Sequence, residues 1–162
     1  MATTVNNTTA NQRITIIFDA GLNNNNENDG PRFGTGNTES DVIIDNKAYL
    51  NIRSHTEIDA NVHALQWNAT TNTGELEYID NRLSDSLSSF PGWATNVVIR
   101  CEAQDAWQTS YDANVAEQEA TWSAANPNPD PNVDFFVANT TQATSVADTA
   151  RTNYLTAHSI IF

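Results

Sequence analysis

The sequence predicts an α+β fold, with an antiparallel, β-rich N-terminal two-thirds followed by two helices. Three features predict it. Strand-like runs of β-branched and aromatic residues recur between Arg13 and Asp80, and apolar and polar side chains alternate along 55–64. The period then changes: from Glu102 to about Ala125 the chain is rich in Ala, Gln and Glu, lacks Gly and Pro, and carries aromatic residues at helical spacing. A proline run separates this amphipathic helix, about 102–125, from a second helix over about 140–158.

Residues 1–12 are small, polar and unpatterned, and read as a flexible or partner-bound arm. Arg13-Ile14-Thr15-Ile16-Ile17-Phe18 reads as a strand that stops at Asp19-Ala20-Gly21. Asn23 to Asn26, Glu27-Asn28-Asp29-Gly30-Pro31, Gly34 and Gly36 are residues of turns and positive φ, so this long loop is expected at the surface. Val42-Ile43-Ile44, the turn-like Asp45-Asn46-Lys47, and then Tyr49, Leu50 and Ile52 read as further strand. Next, Thr56, Ile58, Ala60, Val62 and Ala64 face one way, while His55, Glu57, Asp59, Asn61 and His63 face the other. That is a half-buried strand with one wet face, unless a turn at Asp59-Ala60-Asn61 splits it in two. Leu65-Gln66-Trp67 continues it, and Glu75-Leu76-Glu77-Tyr78-Ile79 returns as the second arm of a hairpin.

After a loop with Pro91-Gly92-Trp93, Trp107, Tyr111, Val115 and Trp122 fall on one stripe of the first helix, the placing of core or interface anchors. Pro127, Pro129 and Pro131 form a semi-rigid spacer, followed by a short apolar piece from Val133 to Val137. Asn139 fits the N-cap of the second helix, with Gln142 as its reciprocal partner, and Ala143, Val146, Ala147, Ala150, Tyr154 and Ala157 make its stripe. Ile160-Ile161-Phe162 is an apolar tail that needs a groove or a sheet edge to cover it. The expected organisation is one α+β domain over 13–125, with the arm before it. Residues 126–162 are expected to pack on that domain or on a neighbouring subunit.

Composition narrows the function. Seven Lys and Arg stand against 20 Asp and Glu, a net charge of −13, which disfavours nucleic acid and anionic membrane surfaces as partners. Met1 to Asn7 has neither the basic nor the apolar region of a signal peptide, and no apolar run is long enough to span a bilayer. The expectation is a soluble protein made in a cytoplasm. Cys101 is the single cysteine, so no internal disulfide forms, and its apolar neighbours Val97-Val98-Ile99 suggest a buried, inert thiol.

Little points to chemistry. His55, Glu57, Asp59 and His63, with Glu75 or Glu77 across the hairpin, offer a nitrogen-and-carboxylate ligand set for zinc or iron. On one straight strand, however, His55 and His63 stand about 26 Å apart, and only a turn between them would let them share a metal. Asn25, Glu27, Asp29 and Gly30 mimic the first half of a calcium loop, but Gly36 occupies the position of its bidentate Glu. The sequence has no Gly-X-Ser-X-Gly and no phosphate-cradling glycine loop, and no His lies near Cys101. No enzyme and no cofactor is predicted.

His63-Ala64-Leu65-Gln66-Trp67-Asn68 followed by Thr73-Gly74-Glu75-Leu76-Glu77-Tyr78 resembles a hairpin of small proteins encoded in tailed-bacteriophage structural gene clusters. An Ala-rich segment with spaced Trp, similar to Trp107 to Trp122, often follows it in them. The resemblance implies a non-enzymatic virion protein associated with tail, fibre or capsid. Its partners would be other virion proteins, and it would act as a homo-oligomer or in many copies. The interface candidates are Trp107, Tyr111, Val115, Trp122, Tyr154, Ile160, Ile161 and Phe162. Two rivals are a carbohydrate-binding module at a fibre tip, with Trp67 or Trp93 stacking on sugar rings, and a metal-dependent hydrolase using His55 and His63.

Overall fold

The computed structural model describes residues 13–18, 37–59, 61–78 and 82–160, except for the side chains of 37–39 and 54–57. The arm over 1–12, the loop of 19–36 and the tail residues Ile161 and Phe162 lie outside the described residues. The fold is α+β, as the sequence predicts. Among the described residues, six antiparallel strands, β1 (Arg13–Phe18), β2 (Asn37–Ile44), β3 (Lys47–Ile58), β4 (Val62–Asn68), β5 (Thr73–Tyr78) and β6 (Asp85–Leu87), precede two helices, α1 (Gly92–Ala125) and α2 (Thr140–Ala157). The strand order is β3-β2-β1-β4-β5-β6. The chain divides into two compact units, one ending at Cys101 and one over Glu102–Ile161.

In the first unit, local chemistry sets each turn. Asp45 and Asn46 connect β2 to β3 with φ of 47° and 71°, the left-handed backbone of a two-residue turn whose twist matches the strands. The Asp45 carboxylate accepts the Arg13 amide at 3.0 Å, and its own N–H donates to the Arg13 carbonyl, which ties this hairpin to the start of β1. The register of β2 against β3 slips between Ser40 and Val42, and beside the slip Asn51 takes φ 56° and donates its amide to Asp41 at 3.0 Å. This bulge bends β3, an end strand of the sheet.

Of the two readings of the alternating stretch, the split one is found. Asp59 accepts the Asn61 amide on Oδ1 at 2.9 Å and the Val62 amide on its carbonyl at 3.0 Å. The resulting tight turn separates β3 from β4, which pairs with β1 and β5. Ile58 and Val62 are buried while Asp59 and His63 are exposed, as expected, but Ala64, though buried, pairs with Ile17 and Glu77 on the other side of the sheet from Val62.

A second bulge lies between β4 and β5. Val62 pairs with Tyr78 and Ala64 with Glu77, so two residues of β4 oppose one of β5. Strict alternation from Val62 would leave Leu65 and Trp67 on the wet face. The extra residue resets the parity and turns both into the core. The Trp67 ring packs against Phe90 at 5.4 Å, over Gly74, its cross-strand partner.

One face of the sheet is covered by the start of α1. The sequence places that helix from Glu102, but it begins at Gly92, just after Pro91, whose carbonyl accepts the Thr95 amide at 3.1 Å. Val97-Val98-Ile99 has strand propensity. Yet Ala94, Val97, Val98 and Cys101 recur at helical spacing and join Ile14, Ile16, Phe18, Val42, Leu65 and Trp67 in one core. Burial overrides propensity here. Cys101 is buried, as its neighbours suggest.

The second unit holds residues 102–125 of α1, the linker 126–139 and α2. Asn139 caps α2, its Oδ1 accepting the Gln142 amide at 3.1 Å. The reciprocal bond comes from another residue than Gln142. Gln118 of α1 accepts the Asn139 amide at 2.7 Å and donates to the Asn139 carbonyl at 3.2 Å and to Asn114 Oδ1 at 2.7 Å. One side-chain amide thus fixes the entry into α2 and satisfies the buried Asn114. Along α2, Ala143, Ala147 and Leu155 are buried, whereas Val146 and Ala157 of the expected stripe are exposed.

Gly74 is a direct test of this packing. A Cβ there would stand 2.5 Å from the Gln66 carbonyl oxygen and 2.6 Å from Trp67 Cε3. Gly74→Ala should therefore lower the free energy of unfolding by about 1–3 kcal/mol, the usual cost of overfilling a packed site. Urea denaturation would read this as a lower midpoint at unchanged slope, and an unchanged midpoint would contradict the packing.

Candidate functional site

The linker between the helices carries the most unusual surface among the described residues. At its start, Asn126 Nδ2 donates to the Trp122 carbonyl at 2.8 Å, holding the end of α1. Pro127, Pro129 and Pro131 stand exposed and lead into a locked turn. The Asp130 carbonyl accepts the amides of Val133 at 3.1 Å and Asp134 at 2.8 Å, and Asp134 Oδ2 accepts the Asp130 amide at 2.9 Å. Asp130 Oδ1 also accepts the Asn132 amide at 2.9 Å.

Beyond the turn, side chains alternate between open and half-buried, the pattern of an extended chain. Phe136 turns inward, its ring tilted against Trp122 at 6.4 Å. Val133, Phe135 and Val137 stay 68%, 63% and 81% exposed. Among the described residues, no hydrogen bond ties the backbone of 135–138 to the rest of the chain. An apolar ridge is thus held by the Asp130 turn at one end and by the Gln118 clamp at the other.

The expected interface anchors are largely engaged inside the second unit. Trp107 is half-buried, stacks on Tyr111 at 5.1 Å, and donates its indole N–H to Asp148 Oδ1 at 2.9 Å. Val115 and Trp122 are half-buried too. Tyr154 donates its hydroxyl to Glu102 Oε2 at 2.5 Å and stacks on His158 at 4.3 Å. Ile160 is half-buried, with its amide bonded to the Leu155 carbonyl at 2.9 Å. Ile161 and Phe162 lie outside the described residues. The polar Asn114 and Gln118 complete the stripe that the aromatic residues mark. Aromatic spacing finds the stripe but misses its polar members.

In the sequence the ridge shows only as a short apolar run. Its signal is the order of residues, with Val133, Phe135 and Val137 two apart and directly after a proline spacer that excludes helix.

The sugar-stacking candidates sit differently from expectation. Trp67 is 3% exposed and offers no open ring face, because the bulge in β4 points it inward. Trp93 is half-buried with its ring against Phe18 at 5.6 Å. His55 and His63 fall on β3 and β4, strands that β2 and β1 separate in the sheet. Among the described residues, no group of three or more His, Cys, Asp and Glu gathers where it could hold a metal. The side chains of His55 and Glu57 and the calcium-like stretch from Asn25 to Gly36 lie outside the described residues.

A shallow groove of about 290 Å³ runs over the wet face of the sheet, lined by Arg13, Thr15, Gln66, Asn68, Thr73 and Glu75. Gln66 donates to Glu77 at 3.0 Å beside it. No described helix is long and apolar enough to cross a membrane.

Two phenols are shifted. Burial, with the Glu102 bond behind it, pushes Tyr154 well above its ordinary value, and the bond to Asp85 raises Tyr78. A raised folded-state pKa means the folded chain keeps a proton that the unfolded chain gives up. The associated stability is full below the unfolded value of 10.0 and falls as pH rises above it. Tyr154→Phe should lose stability less steeply than the parent above that pH in urea unfolding. A parent-like slope would contradict the assignment. No protein-family model, no curated protein and no solved structure matches this chain.

Proposed function

We propose that the chain is a non-enzymatic structural or accessory protein of a bacteriophage particle, associated with tail, fibre attachment or capsid, that works through protein–protein interfaces. The observation that carries this reading is the exposed ridge of Val133, Phe135 and Val137 on backbone that makes no hydrogen bond to its own chain among the described residues. Such a segment gains from a neighbour what it lacks in isolation, namely burial of its side chains and partners for its amides. The segment that resembles the phage proteins folds as the β4–β5 hairpin, which is compatible with that resemblance.

The acidic surface fits the same role. A net charge of −13 keeps copies soluble and apart until a specific contact is made. In this reading the protein is made in the host cytoplasm and ends in the virion, beside other virion proteins and further copies of itself. It takes no cofactor and binds neither nucleic acid nor membrane. Mass spectrometry of purified particles should find the chain in several copies per particle; its absence from particles would contradict the assignment.

A further inference from the structure

We propose that the Asp130–Pro131 peptide bond is a self-cleavage site, at which the Asp130 carboxylate attacks its own main-chain carbonyl in mildly acidic solution. The inference goes beyond the assembly reading and does not depend on it.

Three parts that such a step needs meet at this bond. The leaving group is the first. Pro131 is joined through a tertiary amide, whose nitrogen carries no hydrogen and departs, once protonated, as a secondary amine. Of the five prolines in the chain, Pro131 alone follows an acidic residue; Pro127 and Pro129 follow Asn126 and Asn128, whose side chains are neutral amides.

The nucleophile is the second. Asp130 Oδ1 accepts the amide of Asn132 at 2.9 Å and its side-chain N–H at 3.2 Å. A side chain bonded to the amide two residues on closes a ring through the intervening peptide, so the carboxylate is folded back over the Asp130–Pro131 bond. Among the described residues both bonds fall on Oδ1, which leaves the lone pairs of Oδ2 for the attack. The ring it forms has five members, and holding the two reacting atoms of one residue together removes the entropy cost of bringing them to meet.

A place for negative charge is the third. The Asp130 carbonyl oxygen accepts two amides, from Val133 at 3.1 Å and Asp134 at 2.8 Å. Attack turns this oxygen into an oxyanion, and main-chain donors already aimed at it stabilise that charge as they do in acyl transfer. Asp134 keeps the donors in place, because its Oδ2 accepts the Asp130 amide at 2.9 Å. Asp130 and Asp134 are the titratable groups at the bond, and both Asp130 and Pro131 are exposed to water.

The step balances with water alone. Asp130 Oδ2 bonds to the Asp130 carbonyl carbon, a proton from solvent goes to the Pro131 nitrogen, and the carbon–nitrogen bond breaks. The fragment beginning at Pro131 leaves as an amine, and the fragment ending at Asp130 holds a cyclic anhydride. Water opens the anhydride to two carboxyl groups, so one peptide bond is hydrolysed, once per chain. The cut leaves α2 tied to α1 by Gln118 with Asn139, Trp107 with Asp148 and Tyr154 with Glu102. It sets Val133, Phe135 and Val137 behind a new N-terminus at Pro131.

The test is intact-mass spectrometry of the full chain in the most acidic buffer in which circular dichroism shows it folded, beside the same buffer with urea. Fragments 1–130 and 131–162 should appear at least about tenfold faster in the folded chain, because the fold supplies the positioning and the oxyanion donors. An Asp–Pro bond that is merely labile in acid breaks at least as fast when unfolded. Equal or slower cleavage in the folded chain, or none, therefore overturns the proposal. Asp130→Asn keeps an acceptor for Asn132 and removes the carboxylate, so it should stay intact; cleavage at the parent rate contradicts the assigned nucleophile. Hydroxylamine added during the reaction should be captured as a hydroxamate at Asp130. Fragments without it show direct attack by water and sink the mechanism.

Discussion

Trp67 has to point into the sheet's covered side, and two features of the sequence make that so. The extra residue between Val62 and Ala64 resets the facing of β4, and Gly74 leaves room for the indole to lie across β5. With the ring inward against Phe90, and Leu65 beside it, the central strands present a continuous apolar face. Burying each large side chain of that face contributes about 1.5–3 kcal/mol. The start of α1 supplies the cover through Ala94, Val97, Val98 and Cys101. A strict alternation in β4 would have left a Trp and a Leu in water and a hole beneath the helix. The opposite side of the sheet carries Arg13, Gln66 and Glu75 together with Ile17, Ile43 and Ala64.

The second unit is held together by polar groups as much as by apolar ones. Ala143 and Ala147 let α2 pack closely, but Gln118, Asp148 and Glu102 fix the specific geometry through Asn139, Trp107 and Tyr154. Such bonds are net stabilising by only about 1 kcal/mol each, yet leaving a buried partner unmet would cost more. They therefore specify an arrangement more than they strengthen it. The same arrangement leads into a linker whose Val133, Phe135 and Val137 stay exposed.

Much of this architecture is legible in the sequence. The strand runs, the Asp45-Asn46 turn, the β4–β5 hairpin and the Asn139 cap follow from local chemistry, and local chemistry is what a sequence displays most directly. The departures share one cause. The bulge in β4, the early start of α1 and the replacement of Gln142 by Gln118 are each decided by a partner distant in the chain. Glu77 and Tyr78 select the bulge, the sheet selects helix over strand for Val97 to Ile99, and α1 supplies the cap's second bond. The aromatic stripe of Trp107, Tyr111 and Trp122 announces a contact surface, and most of that surface lies within the unit itself. The exposed Val133, Phe135 and Val137 belong to a run too short to show a period.

The central claim is that residues 133–137 are presented for another chain to bury. Hydrogen exchange read at the amides of Phe135, Phe136 and Val137 tests it most directly, comparing dilute protein with its assembled form. The account predicts near-unprotected exchange in the dilute chain and strong protection on assembly, while the buried β1 and β4 amides stay slow in both. Protection already present in the dilute chain, or unchanged rates after assembly, would contradict it.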